Sequence, residues 1–120
     1  MVLAELRAEY LEELPGKLQD LADSLEAARR DPGDAARQRE ARSQAHQLHG
    51  TAGSYGFSSM SAAAKRVEDT LAAIEAGEVA PTPAWAKIDD ALADARAALA
   101  QARAAPAEAP RAPGLDEPQR

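Results

Sequence analysis

Both histidines of this 120-residue chain, His46 and His49, lie three residues apart in the segment AHQLHGTAGSYGF, with Gly50 directly after His49 and Gly53 three residues further on. An imidazole, with an ordinary pKa of about 6.5, is largely neutral at pH 7 and can act as a nucleophile, a base or a metal ligand. Glycine costs roughly 1 kcal/mol relative to alanine inside a helix. Two glycines beside a histidine therefore suggest that room is needed for a group that approaches the imidazole.

The helix that would carry these residues has an apolar stripe on the side opposite His46. The stripe consists of Ala41, Ala45, Leu48, Ala52 and Tyr55. The residues within about 40° of His46 on an ideal helix are Arg39, Arg42, Gly50 and Gly53. His49 lies about 60° away on the same projection. We therefore expect both histidines to point away from the core, toward solvent.

Apolar residues recur at helical spacing in four separate runs, and the chain has many alanines but only 3% aromatic residues. The runs span residues 3–25, 41–55, 60–74 and 85–102. Short connections between amphipathic helices favour antiparallel neighbours. The sequence thus predicts an all-α fold, an antiparallel up-down four-helix bundle over residues 1–104. Pro15 predicts a first helix that is either kinked or split in two.

Helix ends are predicted from residues that favour caps and turns. The expected starts are Asp34 for the second helix, Ser58 or Ser59 for the third, and Thr82 followed by Pro83 for the fourth; the expected stops are Gly56 and Gly77. From residue 105 the chain reads APAEAPRAPGLDEPQR, a composition that cannot bury enough apolar surface to order itself. Residues 105–120 are therefore predicted to be a disordered tail or the start of an interdomain linker.

Composition excludes several classes of function. The chain has no cysteine, which excludes disulfides and thiolate metal sites and is compatible with a reducing cytoplasm. A net charge of −6 argues against binding nucleic acid. No signal-peptide core and no apolar run of membrane-spanning length is present, so we expect a cytoplasmic protein without a membrane partner.

The histidine segment resembles the histidine-containing phosphotransfer (HPt) domains of bacterial and plant two-component phosphorelays. The pattern of that family is a histidine, two residues, usually a lysine, and then a glycine, with another glycine after a short segment of small residues. The matching residues are His46, Leu48, Gly50, Ala52, Gly53, Gly56 and Phe57. The segment GTAGSYGF is especially similar to the phosphotransfer domains of chemotaxis histidine kinases and their relatives. The resemblance extends over roughly residues 1–104.

The resemblance implies that His46 accepts a phosphoryl group. It also implies that Glu68, at the matching spacing on the next helix, bonds Nδ1 of the imidazole and leaves Nε2 as the nucleophile. His49 stands where the family usually has lysine. Two roles are open for it: it contacts the phosphoryl group, or it is simply solvated. Lys65 is a candidate to supply the missing positive charge.

The implied partners are a response-regulator receiver domain, whose aspartate would exchange the phosphoryl group, and a histidine kinase. Arg39 and Arg42 would form a positive rim on the docking face around Gly50 and Gly53, or they would be no more than a solvated helix face. The chain would be a monomeric phosphocarrier without its own enzymatic site or cofactor, and Mg²⁺ would be bound by the receiver domain.

Two other classes of function remain as alternatives. His46, His49 and Glu68 are reminiscent of metal sites in helical bundles, but they are too few for a closed zinc site and the histidines are projected away from the core. A purely structural or interaction bundle would use the leucine stripes and would leave the glycines unexplained.

Overall fold

The four apolar runs form four helices in the computed structural model, which describes residues 2–104. The helices are α1 (Val2–Arg30), α2 (Ala35–Ser54), α3 (Ser58–Glu75) and α4 (Pro81–Ala104). Helix α1 packs against α2 and α4, and α3 packs against the same two helices. The short connections make each helix antiparallel to the next, and the predicted all-α up-down four-helix bundle is confirmed. The predicted tail or linker at residues 105–120 lies outside the described residues.

The core is built from leucines on α1 and from smaller side chains on the other helices. The α2 stripe is buried through Ala41, Ala45, Leu48 and Ala52, as its spacing predicted. Alanine side chains allow neighbouring backbones to approach closely, so α2 lies tightly between its neighbours. The apolar pattern of α1 extends beyond the core at its N-terminal end, where Leu3 and Leu6 are 63% and 41% exposed.

Pro15 lies inside a single continuous α1, so the structure gives one helix rather than two. A proline in a helix interior removes one backbone hydrogen bond. Leu14 and Leu18, on either side of Pro15, are both buried. Their packing stabilises the helix across the position that the proline weakens.

The ends of α2 and α3 have the same backbone geometry. Gly56 and Gly77 both have positive φ angles, of 84° and 72°, which glycine adopts without strain. The N–H groups of Gly56 and Phe57 bond to the carbonyls of Gly53 and Ala52, at 3.1 and 2.8 Å, and Gly77 makes the equivalent bond. These are Schellman caps, and they confirm the two predicted stops.

The helix starts agree with the sequence at one position and differ at two. Asp34 caps α2, since its side chain accepts hydrogen bonds from the backbone of Ala36 and Arg37. The predicted serine cap of α3 was wrong, because Phe57 occupies the cap position without a side-chain hydrogen bond. Helix α4 begins at Pro81 instead of after Thr82. The fixed φ angle of proline suits the first turn of a helix. Proline lacks an N–H group, but N–H groups in the first turn have no partner within the helix, so no hydrogen bond is lost.

Aromatic and polar contacts fasten α1 to the end of α2. The hydroxyl of Tyr10 lies 2.6 Å from Oγ1 of Thr51, and its ring stacks on that of Tyr55 at 4.7 Å between centroids. Nε of Arg7 donates to the carbonyl of Tyr55 at 2.8 Å, with the guanidinium 4.1 Å from the ring centre of Phe57. These contacts hold the short α2–α3 connection against α1.

Candidate functional site

His46 lies on the outer face of α2, opposite the buried alanine stripe. Its side chain is 69% exposed, whereas that of Glu68 on α3 is only 20% exposed. Nδ1 of His46 lies 2.8 Å from Oε2 of Glu68, across the groove between the two helices. The structure therefore brings together His46 and Glu68, for which the resemblance implied the roles of nucleophile and orienting carboxylate.

The contact with Glu68 determines which nitrogen of His46 carries the proton. An ionised carboxylate can only accept hydrogen bonds, so Nδ1 donates to Oε2 and the neutral ring has its lone pair at Nε2. The other oxygen, Oε1 of Glu68, is buried and has no hydrogen-bond partner among the described residues. The arrangement thus presents an exposed imidazole with one nitrogen held and the other available for chemistry.

An open cavity of about 500 Å³ adjoins the imidazole. Its lining includes Arg39, Arg42, Ser43, His46, Glu68 and Asp69. Arg42 forms an ion pair with Glu75 of α3, and Arg39 is exposed on the rim. The two arginines predicted to surround the histidine therefore share one concave surface with it.

Lys65 is exposed on α3, one turn before Glu68, but its ammonium group is bonded to a neighbouring carboxylate. Nζ lies 2.9 Å from Oδ1 of Asp69. This hydrogen bond raises the pKa of Lys65 above its ordinary value. Lys65 is not among the residues that line the cavity, whereas its partner Asp69 is.

His49 is half-buried in the α2–α3 groove, more enclosed than the helical projection predicted. Its Nδ1 lies 2.9 Å from Oγ of Ser61 and 3.2 Å from the carbonyl oxygen of Ser61. Ser61 is buried on α3, and its hydroxyl also lies 2.8 Å from the carbonyl oxygen of His49. His49 does not line the cavity beside His46.

The two glycines near His46 have different surroundings. A Cβ atom at Gly50 would meet nothing within 4 Å, so this face of the helix is open. A Cβ atom at Gly53 would lie 3.2 Å from Oγ of Ser61, a tighter contact than side chains normally make. Open space at Gly50 agrees with the expected room around the imidazole, whereas the absence of a side chain at Gly53 is explained by helix packing.

Within residues 2–104, no three histidine, aspartate or glutamate side chains come together as a group that could hold a metal ion. No helix in that range combines the length and the apolar character that a membrane crossing requires.

Ser61, which bonds to His49, and Asp69, which bonds to Lys65, were not predicted from the sequence. Ser61 precedes Glu68 by seven residues, which places both on the same face of α3. This spacing was the available signal, but serine at a buried helix position is uninformative until its partner is known. Asp69 lies four residues after Lys65, a spacing that favours ion pairs on helices.

Comparison with known proteins gives one family. The model of the family described as "Hpt domain" matches residues 5–105, which includes most of the chain and all the candidate site residues. No curated protein and no solved structure matches the chain.

Proposed function

Because the chain belongs to the Hpt domain family, we propose that His46 accepts a phosphoryl group and exchanges it with the aspartate of a response-regulator receiver domain. The observation that supports this assignment most directly is the exposed imidazole of His46 held at Nδ1 by Glu68. Hpt domains are phosphocarriers of phosphorelays rather than enzymes. Such a protein has to present an accessible, oriented nucleophile to a partner that supplies the rest of the chemistry.

In the proposed reaction, the lone pair of Nε2 attacks the phosphorus atom of the receiver's aspartyl phosphate. The bond between that phosphorus and the aspartate oxygen breaks, and the aspartate leaves as a carboxylate. The ring of His46 gains positive charge, because Nδ1 keeps its proton. The carboxylate of Glu68 stabilises this charge through the 2.8 Å contact with Nδ1, and the same steps in reverse return the phosphoryl group.

We assign Mg²⁺ to the pocket of the receiver domain, where it would neutralise the phosphoryl oxygens during in-line transfer. Arg39 and Arg42 bring two positive charges to the rim of the cavity, that of Arg42 paired with Glu75, in a chain whose net charge is −6. That rim would attract an acidic receiver pocket. We further propose that the chain works as a monomer in the cytoplasm, with a receiver domain or a histidine kinase as the phosphoryl donor.

The proposal is tested by incubating the chain with phosphorylated receiver domains and, independently of any partner, with phosphoramidate. Intact mass is then measured at the end point for the wild type and for His46→Gln and His49→Gln. We expect one phosphoryl group, labile in acid and stable in base, on the wild type and on His49→Gln.

The adduct should be absent only from His46→Gln. An adduct that persists in this variant would assign the phosphoryl group to another side chain and contradict the proposal. If the wild type takes up no phosphoryl group from either kind of donor, the proposal is contradicted as well.

A further inference from the structure

The hydrogen bonds between His49 and Ser61 allow only one arrangement of protons for the neutral imidazole. The hydroxyl of Ser61 has a single proton, and it is donated to the carbonyl oxygen of His49 at 2.8 Å. Oγ and the carbonyl oxygen of Ser61 are therefore both acceptors toward Nδ1 of His49, at 2.9 and 3.2 Å. Nδ1 of His49 must carry a proton, and three hydrogen bonds join this pair across α2 and α3.

The surroundings of Ser61 leave little room for the pair to rearrange. Ser61 is 8% exposed and, apart from the aromatic Tyr10, is the one residue with a polar side chain that is buried in residues 3–104. The backbone of Gly53 covers the hydroxyl so closely that a Cβ atom there would lie 3.2 Å from Oγ. Because both hydrogen-bonding functions of the hydroxyl are satisfied by His49, the position of Ser61 relative to α2 is fixed.

The His49–Ser61 pair and the His46–Glu68 pair both lie in the groove between α2 and α3. Glu68 follows Ser61 by seven residues, which is two helical turns and about 10 Å along the same face of α3. His46 precedes His49 by three residues, so both pairs join the same two antiparallel helices. A slip of α3 by one residue would move Glu68 by about 1.5 Å along the axis and about 100° around it, enough to lose both contacts.

The buried apolar side chains keep one face of α3 turned toward the core, whereas the two polar pairs fix individual atoms across the groove. Small side chains are frequent on the buried faces of both helices, beside the larger Leu48, Met60, Val67 and Leu71. They are Ala41, Ala45 and Ala52 on α2 and Ala63 and Ala64 on α3. Methyl groups make shallow contacts that tolerate sliding, whereas hydrogen bonds weaken steeply when distance or angle changes.

We propose that His49 and Ser61 are positioning residues that hold α3 in the register in which Glu68 meets Nδ1 of His46. This inference rests on the proposed function of His46 and assigns His49 a role other than contact with the phosphoryl group. The effect on His46 is indirect, through the placement of Glu68.

The first test uses the wild-type chain and the ¹⁵N spectra of its two imidazoles above pH 7. His49 and His46 are both expected to carry their neutral proton at Nδ1. A His49 that carries this proton at Nε2 would be incompatible with the hydrogen bonds described above and would overturn the inference.

The second test compares His49→Asn with His49→Gln and Ser61→Ala, after circular dichroism has shown that each variant is helical. The side-chain nitrogen of asparagine is as many bonds from Cβ as Nδ1 of histidine, whereas that of glutamine is one bond farther. His49→Asn should keep His46 in the Nδ1–H form and keep the transfer rate. In His49→Gln and Ser61→Ala, His46 should show the mixed tautomers of an unrestrained imidazole and transfer about tenfold more slowly.

The inference is overturned if all three variants keep the wild-type tautomer and rate of His46, or if His49→Asn is as impaired as His49→Gln. Its failure is distinguishable from failure of the proposed function. A wild-type chain that takes up no phosphoryl group would refute the proposed function alone, because the tautomer of His46 in the variants still reports on the positioning.

Discussion

Glu68 holds the imidazole of His46 with one oxygen only: Oε2 lies 2.8 Å from Nδ1, while Oε1 is buried without a partner among residues 2–104. A buried acceptor that lacks a hydrogen bond lowers stability by roughly 1–3 kcal/mol. This position therefore serves the orientation of His46 better than it serves the fold.

Replacing Glu68 with methionine should separate these two effects. The variant Glu68→Met keeps the length of the side chain and removes the unpaired oxygen, so the free energy of unfolding should be unchanged or higher by about 1 kcal/mol. The rate of phosphoryl uptake should fall by about 10- to 100-fold, because the tautomer and charge of His46 are no longer supported. Denaturant unfolding and a time course of intact mass measure the two quantities. Glu78→Met, an equal loss of charge in the α3–α4 connection, should leave the rate unchanged.

Alanine at the two glycines should have opposite effects on stability. Gly50→Ala adds a methyl group into open space and removes the helix penalty of glycine, so stability should rise by about 1 kcal/mol. Gly53→Ala gains the same propensity but presses on Oγ of Ser61, which His49 holds in place, so stability should not rise and is expected to fall. Urea unfolding of both variants measures this difference, and equal gains would contradict the packing explanation of Gly53.

A large side chain at Gly50 tests the expected room around the imidazole. Gly50→Leu should leave the bundle folded, since nothing lies within 4 Å of the new Cβ atom. Transfer from a phosphorylated receiver domain should be strongly slowed, because the leucine occupies the helix face one turn from His46. Circular dichroism and the transfer rate measure the two effects, and the expected result is a strongly reduced rate with unchanged helicity. A normal rate would show that the partner does not approach His46 over this face.

The contribution of the positive rim should depend on ionic strength. Arg39→Ala is expected to slow transfer from a receiver domain about two- to fivefold at low salt, and the difference should shrink as salt screens exposed charges. Arg96→Ala on α4 removes an equal charge from a helix that does not pack against α2. Equal salt dependence of the two variants would show that net charge, and not the rim, controls the encounter.

Tyr10 predicts a pH dependence of stability at alkaline pH. Burial raises the pKa of its hydroxyl above the ordinary value of 10.0. The unfolded chain therefore loses this proton first, and the free energy of unfolding should fall as the pH rises above about 10. Tyr10→Phe should remove this part of the dependence and, by losing the bond to Thr51, lower stability at pH 7 by about 1 kcal/mol. Identical pH profiles for both proteins would contradict the assignment to Tyr10.

Features that depend on neighbouring residues in the sequence could be predicted. The apolar periodicity, the Asp34 cap and the stops at Gly56 and Gly77 are local, and each was found where expected. The start of α3 was predicted wrongly because the cap at Gly56 continues directly into Phe57, which leaves the serines inside the first turn.

The candidate site was predictable where a family pattern exists and not where it depends on helix register. His46 and Glu68 could be paired by resemblance to the family alone. The partner of His49 could not, because Ser61 becomes its neighbour only when α2 and α3 pack in one particular register. The difference between Gly50 and Gly53 was not predictable for the same reason. Ser61 of α3 lies close to Gly53, whereas no atom lies within 4 Å of a Cβ at Gly50.

All the residues that line the cavity beside His46 belong to α2 and α3, in the part of the chain that the structure describes. A phosphoryl donor and a phosphoryl acceptor would therefore have to use the same surface in turn. Donor and acceptor should compete, so that an excess of unphosphorylated acceptor inhibits loading and the kinetics follow a ping-pong scheme. Two partners that both need this surface cannot occupy it together, so the bundle would pass a signal along a chain of partners by binding them in turn.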